Sequence, residues 1–456
     1  MDFARIEEDA LRTLDLLCRQ PSVSAESREL TETAELVEEL LRGAGFETQQ
    51  LRADGGPPAV YGAQAGTSPY RLLLYNHYDV QPVDPLELWE SPPFEPTVRD
   101  GKLFARGAAD NKGELAVRLA VVRALREEEG ELPLSLTWIV EGEEEVLSPH
   151  FDEIVASNVD LLRADSCLWE GSPARLGDGR PGLGLGFKGA LAIRLDIRLL
   201  RTDAHSAAAA IVPSAAWRLV EALASLRDPD GTVRIDGFYD AVRAPSDAER
   251  AALAEGSDSF EQGMRETLGV ESFIGGLSGA QLRERGSFSP TCNIAGIKTG
   301  YSGPGTKTVL PAEASAWLDL RLVPDQRPEE VLDLLQRHLE REGLDDIEVT
   351  VVGAATPAGT PIEHPFVQRV AEIAESVSGA PPSVTPIIAG TLPIVSTFQK
   401  HLDVPGLAAP DNPFYVGSRA HAPNEHVRLE DIGHAVRFTH ALFTRLADEY
   451  PSRPAP

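Results

Sequence analysis

The stretch Leu72-Leu73-Leu74-Tyr75-Asn76-His77-Tyr78-Asp79-Val80-Gln81-Pro82 runs an unbroken apolar segment into a histidine and an aspartate, and a proline stops it. A strand apolar on both faces belongs in a covered, largely parallel sheet, because a strand washed on one face would alternate. Two further segments share this shape. Leu134-Ser135-Leu136-Thr137-Trp138-Ile139-Val140 empties into Glu141-Gly142-Glu143-Glu144-Glu145, and Asp165-Ser166-Cys167-Leu168-Trp169 ends on Glu170-Gly171. Between them Leu115, Leu119, Val122 and Leu125 recur at helical spacing, and amphipathic helices are expected at the N-terminus and near Arg28 to Leu41. Strands separated by helices give an α/β fold with a mixed, largely parallel sheet.

The texture changes at Gly182 to Gly189, a glycine-rich stretch suited to a hinge. Beyond it, alternating strands and two helices, after Pro213 and at Pro328 to Arg341, follow the order strand, helix, strand, strand, helix, strand. That order predicts a small α+β sandwich, with the two central strands supplied by Thr308 to Pro324. Residues 236–290 form a polar insertion with no evident place. From Pro386 the α/β texture returns and ends in a helix from Leu429 to Asp448. The expected division is one domain made of residues 1–187 and 387–456, with a second domain inserted at 188–386.

Lys and Arg number 42 against 71 Asp and Glu, a formal charge of −29. Such a field repels phosphate backbones and anionic lipid, so nucleic acid and membrane are not expected partners. The N-terminal segment has no basic, apolar leader pattern, and no apolar run reaches the roughly 18 residues of a membrane span. Cys18, Cys167 and Cys292 are too few and scattered for a disulfide framework or a metal knuckle, so a reducing cytoplasm is expected.

Ligands of open α/β sheets bind beyond the carboxyl ends of the strands, which is where the acids and histidines of this chain collect. His77 is followed by Asp79, a carboxylate able to fix an imidazole tautomer. Asp110 sits in Arg106-Gly107-Ala108-Ala109-Asp110-Asn111-Lys112-Gly113, a turn opening a helix, where it could equally serve the helix start. Glu143, Glu144 and Glu145 repel one another at a strand exit unless a cation or proton is present. Glu170 and His421, the latter in His421-Ala422-Pro423-Asn424-Glu425, complete the set. Two histidines and several carboxylates without thiolate suit Zn²⁺, and also Mn²⁺ or Co²⁺.

With Leu103 to Gly113, Glu141 to Ser148 and Asp203-Ala204-His205-Ser206, these blocks resemble in order those of the M20 family of dinuclear zinc metallopeptidases, of the carnosinase and cytosolic nonspecific dipeptidase type. The resemblance covers almost the whole chain. It implies that His77 and Glu170 hold one metal, Glu145 and His421 the other, and that Asp110 bridges them. Glu144 would be the general base, with Asp79 orienting His77. The inserted domain would be a lid and dimerisation domain whose His205 reaches the partner subunit's substrate in a homodimer. Arg321, Gly390 and Thr391 resemble positions that bind the substrate's carboxylate and backbone. Asn76, Asn111 and Leu147 depart from the family pattern, where Gly, Asp and Gly are usual, and Asp165 competes with Glu170 for the third acidic ligand. The implied reaction is hydrolysis of di- or short peptides with a free C-terminal carboxylate by a metal-bridging hydroxide. An N-acyl amino acid deacylase and an inactive scaffold are the alternatives.

Overall fold

The computed structural model describes residues 1–446. Strands β1 (Glu47–Leu51), β2 (Ala59–Gln64), β3 (Gly66–His77), β4 (Leu132–Glu141), β5 (Ser166–Trp169) and β6 (Gly182–Gly184) come first. Then follow β7 (Gly189–Arg198), β8 (Thr291–Thr299), β9 (Glu313–Leu322) and β10 (Glu348–Ala355), and β11 (Ser383–Thr385) and β12 (Gly406–Ala408) return to the first group. The helices named below are α1 (Phe3–Cys18), α2 (Leu30–Gly43), α3 (Lys112–Glu129), α4 (Ala215–Ser225), α5 (Asp247–Glu255), α6 (Ser259–Leu268), α7 (Gly279–Phe288), α8 (Pro328–Arg341), α9 (Pro365–Ser378), α10 (Pro393–Leu402) and α11 (Leu429–Arg445). Beyond Arg445, the expected end of α11 at Asp448 lies outside the described residues. No helix among those described is long and apolar enough to cross a membrane.

The large sheet is mixed, in the order β1-β2-β4-β3-β5-β12-β6-β11. At its centre β3 runs parallel to β4 and β5, so all three end on one edge, with His77 opposite Glu141. The apolar run explains why both faces are covered. Leu72 and Leu74 pack into a core with α1, α2, α3, α9 and α11, whereas Leu73 and Tyr75 pack into a second core with α10. Full burial of each leucine contributes about 1.5–3 kcal/mol.

The second sheet, β8-β9-β7-β10, is antiparallel throughout, and its inner face packs Leu191, Ile193 and Leu195 against α4 and α8. This is the expected α+β sandwich with one strand exchanged. Val309–Leu310 does not pair with β9 and forms a separate two-stranded ribbon with Ala204–His205. The missing strand is β8, whose residues are almost all exposed or half-exposed and therefore show no burial alternation.

The glycine-rich stretch is paired as short strands, Gly182–Gly184 and Gly186–Phe187, leading into β7. Carbon added at Gly186 would lie 2.6 Å from the Ala358 carbonyl oxygen and at Gly189 2.5 Å from that of Ala355, so these glycines permit close backbone contact. Before the expected boundary at 386, α9 packs Phe366, Val370 and Ile373 into the main core and β11 pairs with β6. The insertion at 236–290 folds into α5, α6 and α7, and Leu253 and Phe288 from it pack on Ile387.

Candidate metal centre

The parallel strands β3, β4 and β5 deliver four of the expected residues to one sheet edge. His77 is the last residue of β3 and fully buried, Glu144 and Glu145 follow β4 in a short helical turn, and Glu170 follows β5. Asp110 comes from the turn before α3, and His421 from a loop near the C-terminus, where its φ is 63°.

These groups converge in a paired pattern. His77 Nε2 lies 3.0 Å from Asp110 Oδ1 and 3.1 Å from Glu170 Oε2. His421 Nε2 lies 3.1 Å from Asp110 Oδ2 and 3.1 Å from Glu145 Oε2. Each imidazole nitrogen therefore faces two carboxylate oxygens, and Asp110 gives one oxygen to each side. Glu144 stands in the same cluster as His77 and Glu170. Asp165 is at the other end of β5, where its carboxylate accepts from the Arg71 backbone N–H at 2.7 Å.

The arrangement fits cations. Glu170 Oε2 is buried without a hydrogen-bond donor, a costly state for a carboxylate oxygen unless something positive occupies the space before it. The donors are imidazole and carboxylate only, a set suited to Zn²⁺, Mn²⁺ or Co²⁺. Protonation reports the same crowding. Burial, then Glu170, pushes the Glu144 carboxyl well above its usual range. Burial opposes charge on His77, but Glu170, Asp110 and Asp79 outweigh it and raise its imidazole well above the ordinary value. Hydrogen bonds to Asp110 and Glu145 raise His421 to about 11.

Asp79 lies beneath this cluster. Its backbone carbonyl accepts from or faces His77 Nδ1 at 3.0 Å, and its carboxylate oxygens accept the backbone N–H groups of Glu144 and Glu145 at 3.2 and 3.1 Å. It thus ties the His77 strand exit to the glutamate turn. Arg321, on β9, donates to Thr391 Oγ1 at 2.7 Å, which joins the second sheet to the segment containing Gly390. His205 is not in the cluster. Its exposed ring accepts from the Ala207 N–H at 3.1 Å and faces Thr308 Oγ1 at 3.5 Å.

Sequence reasoning passed over the residues that fix this geometry. Glu425 is 1% exposed, and its carboxylate accepts from Arg106 Nη1 at 2.7 Å and from the N–H groups of Gly107, Ala109 and Asp110 at 2.9–3.1 Å. It pins the turn bearing Asp110 to the loop bearing His421. The two asparagines that depart from the family pattern pair with each other, Asn76 Nδ2 donating to Asn111 Oδ1, and Asn111 donates on to Glu114. Buried Arg118 bonds Asn76, Glu114 and Asp411 in the same network. The signal for Glu425 was present in the last position of the His421 block. For the asparagines it was the joint departure of two positions that touch in space.

The chain is 29% identical to the Beta-Ala-His dipeptidase of Rattus norvegicus, over 75% of this chain and 71% of that protein. It is 28% identical to the Cys-Gly metallodipeptidase DUG1 of Candida albicans, over 86% and 85%. Among solved structures, an M20 family metallo-carboxypeptidase from Sulfolobus solfataricus superposes with a TM-score of 0.91 at 34% identity, covering 96% of this chain and 99% of that one. The model of peptidase family M20/M25/M40 matches residues 73–445, most of the chain and a span that contains the cluster, and the protein belongs to that family.

Proposed function

We propose that this enzyme hydrolyses the amide bond of dipeptides or short peptides with a free C-terminal carboxylate at a centre for two divalent metal ions. One observation carries the reading: two histidine nitrogens each face a pair of carboxylate oxygens about 3 Å away, with Asp110 shared between them. His77 and Glu170 would hold one ion, Glu145 and His421 the other, and Asp110 both. The ions are Zn²⁺ in first place, with Mn²⁺ or Co²⁺ compatible with the same donors. When bound, such a pair polarises the scissile carbonyl and makes water nucleophilic at neutral pH.

The protein's own groups do the rest. Glu144, in the cluster with His77 and Glu170, takes a proton from the attacking water and delivers it to the leaving amine. Asp79 holds His77 and the glutamate turn in register. Arg321 offers its forked donors to the substrate carboxylate, with Thr391 and Gly390 beside it. His205, remote from the cluster of its own chain, serves the oxyanion in a partner subunit, which makes the working unit a homodimer through the inserted domain. The three cysteines are buried and unpaired, which supports a reducing cytoplasm as its compartment.

The test is a substrate panel on metal-loaded protein. Dialysis against a chelator should abolish dipeptide hydrolysis, and Zn²⁺, Mn²⁺ or Co²⁺ should restore it. Preference for N-acetyl amino acids would reassign the enzyme as a deacylase, and full turnover in metal-free protein would remove the mechanism.

A further inference from the structure

A cavity of 520 Å³ opens beside the metal centre, between the large sheet and the inserted helices. Its inner wall includes Gly171, Leu183 and Ile388, and its outer wall is α6. That helix presents Phe260, Met264 and Leu268 at successive intervals of four residues, hence on one face. The stripe is not packed away: Phe260 is 46% and Leu268 60% exposed. Apolar surface left in water at the wall of a cleft marks a binding surface more often than a core.

Position and charge say what it binds. The cavity adjoins the site through neighbours in the chain: its walls include Gly171 after Glu170, Ala389 before Gly390, and Arg419 and Ala420 leading into His421. Among the described residues no Asp or Glu lines it, in a chain that contains 71 of them. One of its two cations, Arg283, is engaged by the Leu253 and Ala254 carbonyls and by Asp258. The volume falls in the roughly 300–1,000 Å³ range of pockets that enclose whole small ligands, far more than a methyl group or a hydrogen requires.

Resting on the peptidase reading above, we infer that this cavity receives a bulky apolar side chain adjoining the scissile amide, so that the enzyme selects peptides of Leu or Phe over those of Gly or Ala. The inserted helix α6 is the specificity-determining element. The metal centre performs the same reaction on either class, and the cavity decides which substrate is held there.

Two series, Gly-Gly, Leu-Gly, Phe-Gly and Gly-Gly, Gly-Leu, Gly-Phe, are assayed with the full-length, metal-loaded enzyme. In one series kcat/KM should rise at least about 100-fold from Gly to Phe, since a single methylene in an apolar pocket is worth roughly 10- to 200-fold. The series that responds identifies the side of the amide that the cavity serves. Gly286 lies on the wall, and a Cβ there would meet nothing within 4 Å, so Gly286→Leu has room at its first carbon for a side chain that takes up cavity space. It should lower the Phe-to-Gly ratio at least about tenfold, and Met264→Ser should lower it in the same direction. Because the ratio is taken within one preparation, losses in folding or metal content cancel. Turnover of Gly-Gly with flat profiles in both series, or ratios unmoved by both variants, would overturn the cavity assignment alone. Metal-loaded protein that hydrolyses no member of the panel would overturn the peptidase reading and this inference with it.

Discussion

Replacing Glu425 with glutamine removes one oxygen acceptor and changes almost nothing in size. One carboxylate oxygen now receives Arg106 Nη1 and the Gly107 N–H, and the other receives the N–H groups of Ala109 and Asp110. Whichever way a glutamine amide is turned, its NH₂ faces one of these pairs, so donors meet a donor. Arg106, itself 1% exposed, also loses its buried counter-charge. Breaking one side of a buried ion pair costs about 3–5 kcal/mol, and charge-assisted hydrogen bonds of about 1.5–3 kcal/mol each are of matching size. We therefore expect Glu425→Gln to lose about 3–5 kcal/mol in urea unfolding of chelator-treated protein, where metal binding cannot mask the effect. Because the released turn carries Asp110, metal affinity should fall about 10- to 100-fold, the usual effect of removing a group that orients a ligand. A loss below about 1 kcal/mol together with unchanged metal affinity would refute the account, since that level is typical of exposed pairs.

Glu144→Gln should retain two metals per chain while losing at least about 10²- to 10⁴-fold in kcat, whereas Glu145→Gln should lose metal; the reverse pattern would exchange their roles. Glu170→Ala should lower metal occupancy and Asp165→Ala should not, because the two residues lie at opposite ends of β5. Mixing inactive His205→Ala and Glu144→Gln subunits under exchange should restore part of the activity, and no recovery despite mass-spectrometric proof of heterodimers would exclude action across the interface. Lys188 is buried, and burial followed by the nearby Arg321 charge lowers it from 10.5 to about 8. Between those values the unfolded chain keeps a proton that the folded one has released, so this group's contribution to stability rises with pH. Lys188→Met should accordingly be more stable than the parent at pH 7, with the advantage shrinking toward pH 10.5 in parallel urea titrations.

Local pattern was enough wherever the local pattern was itself the cause. The run Leu72 to Tyr75 is apolar at every position because each side chain meets one of two cores, and that burial on both faces is what makes β3 a central parallel strand. Once β3, β4 and β5 are parallel, His77, Glu144 and Glu170 reach the same edge without further information. The chain order of these blocks therefore carried the family and most of the cluster. β8 escaped because its outer residues face solvent and obey no alternation, so the strand exists through pairing with β9, a partner distant in sequence. For the same reason Val309–Leu310 was misplaced, since nothing local distinguishes pairing with β9 from pairing with Ala204–His205.

By itself, then, the sequence determined the α/β class, the two-part build and the chemical types of the site, because these follow from periodicity and from which residues end apolar strands. Tertiary structure alone decided the rest. It set the 3.0 and 3.1 Å approaches of His77 and His421 to Asp110, the anchoring of two loops on Glu425, and the pairing of Asn76 with Asn111. Each is a contact between segments remote along the chain, fixed by packing in three dimensions, and no spacing within either segment encodes such a distance.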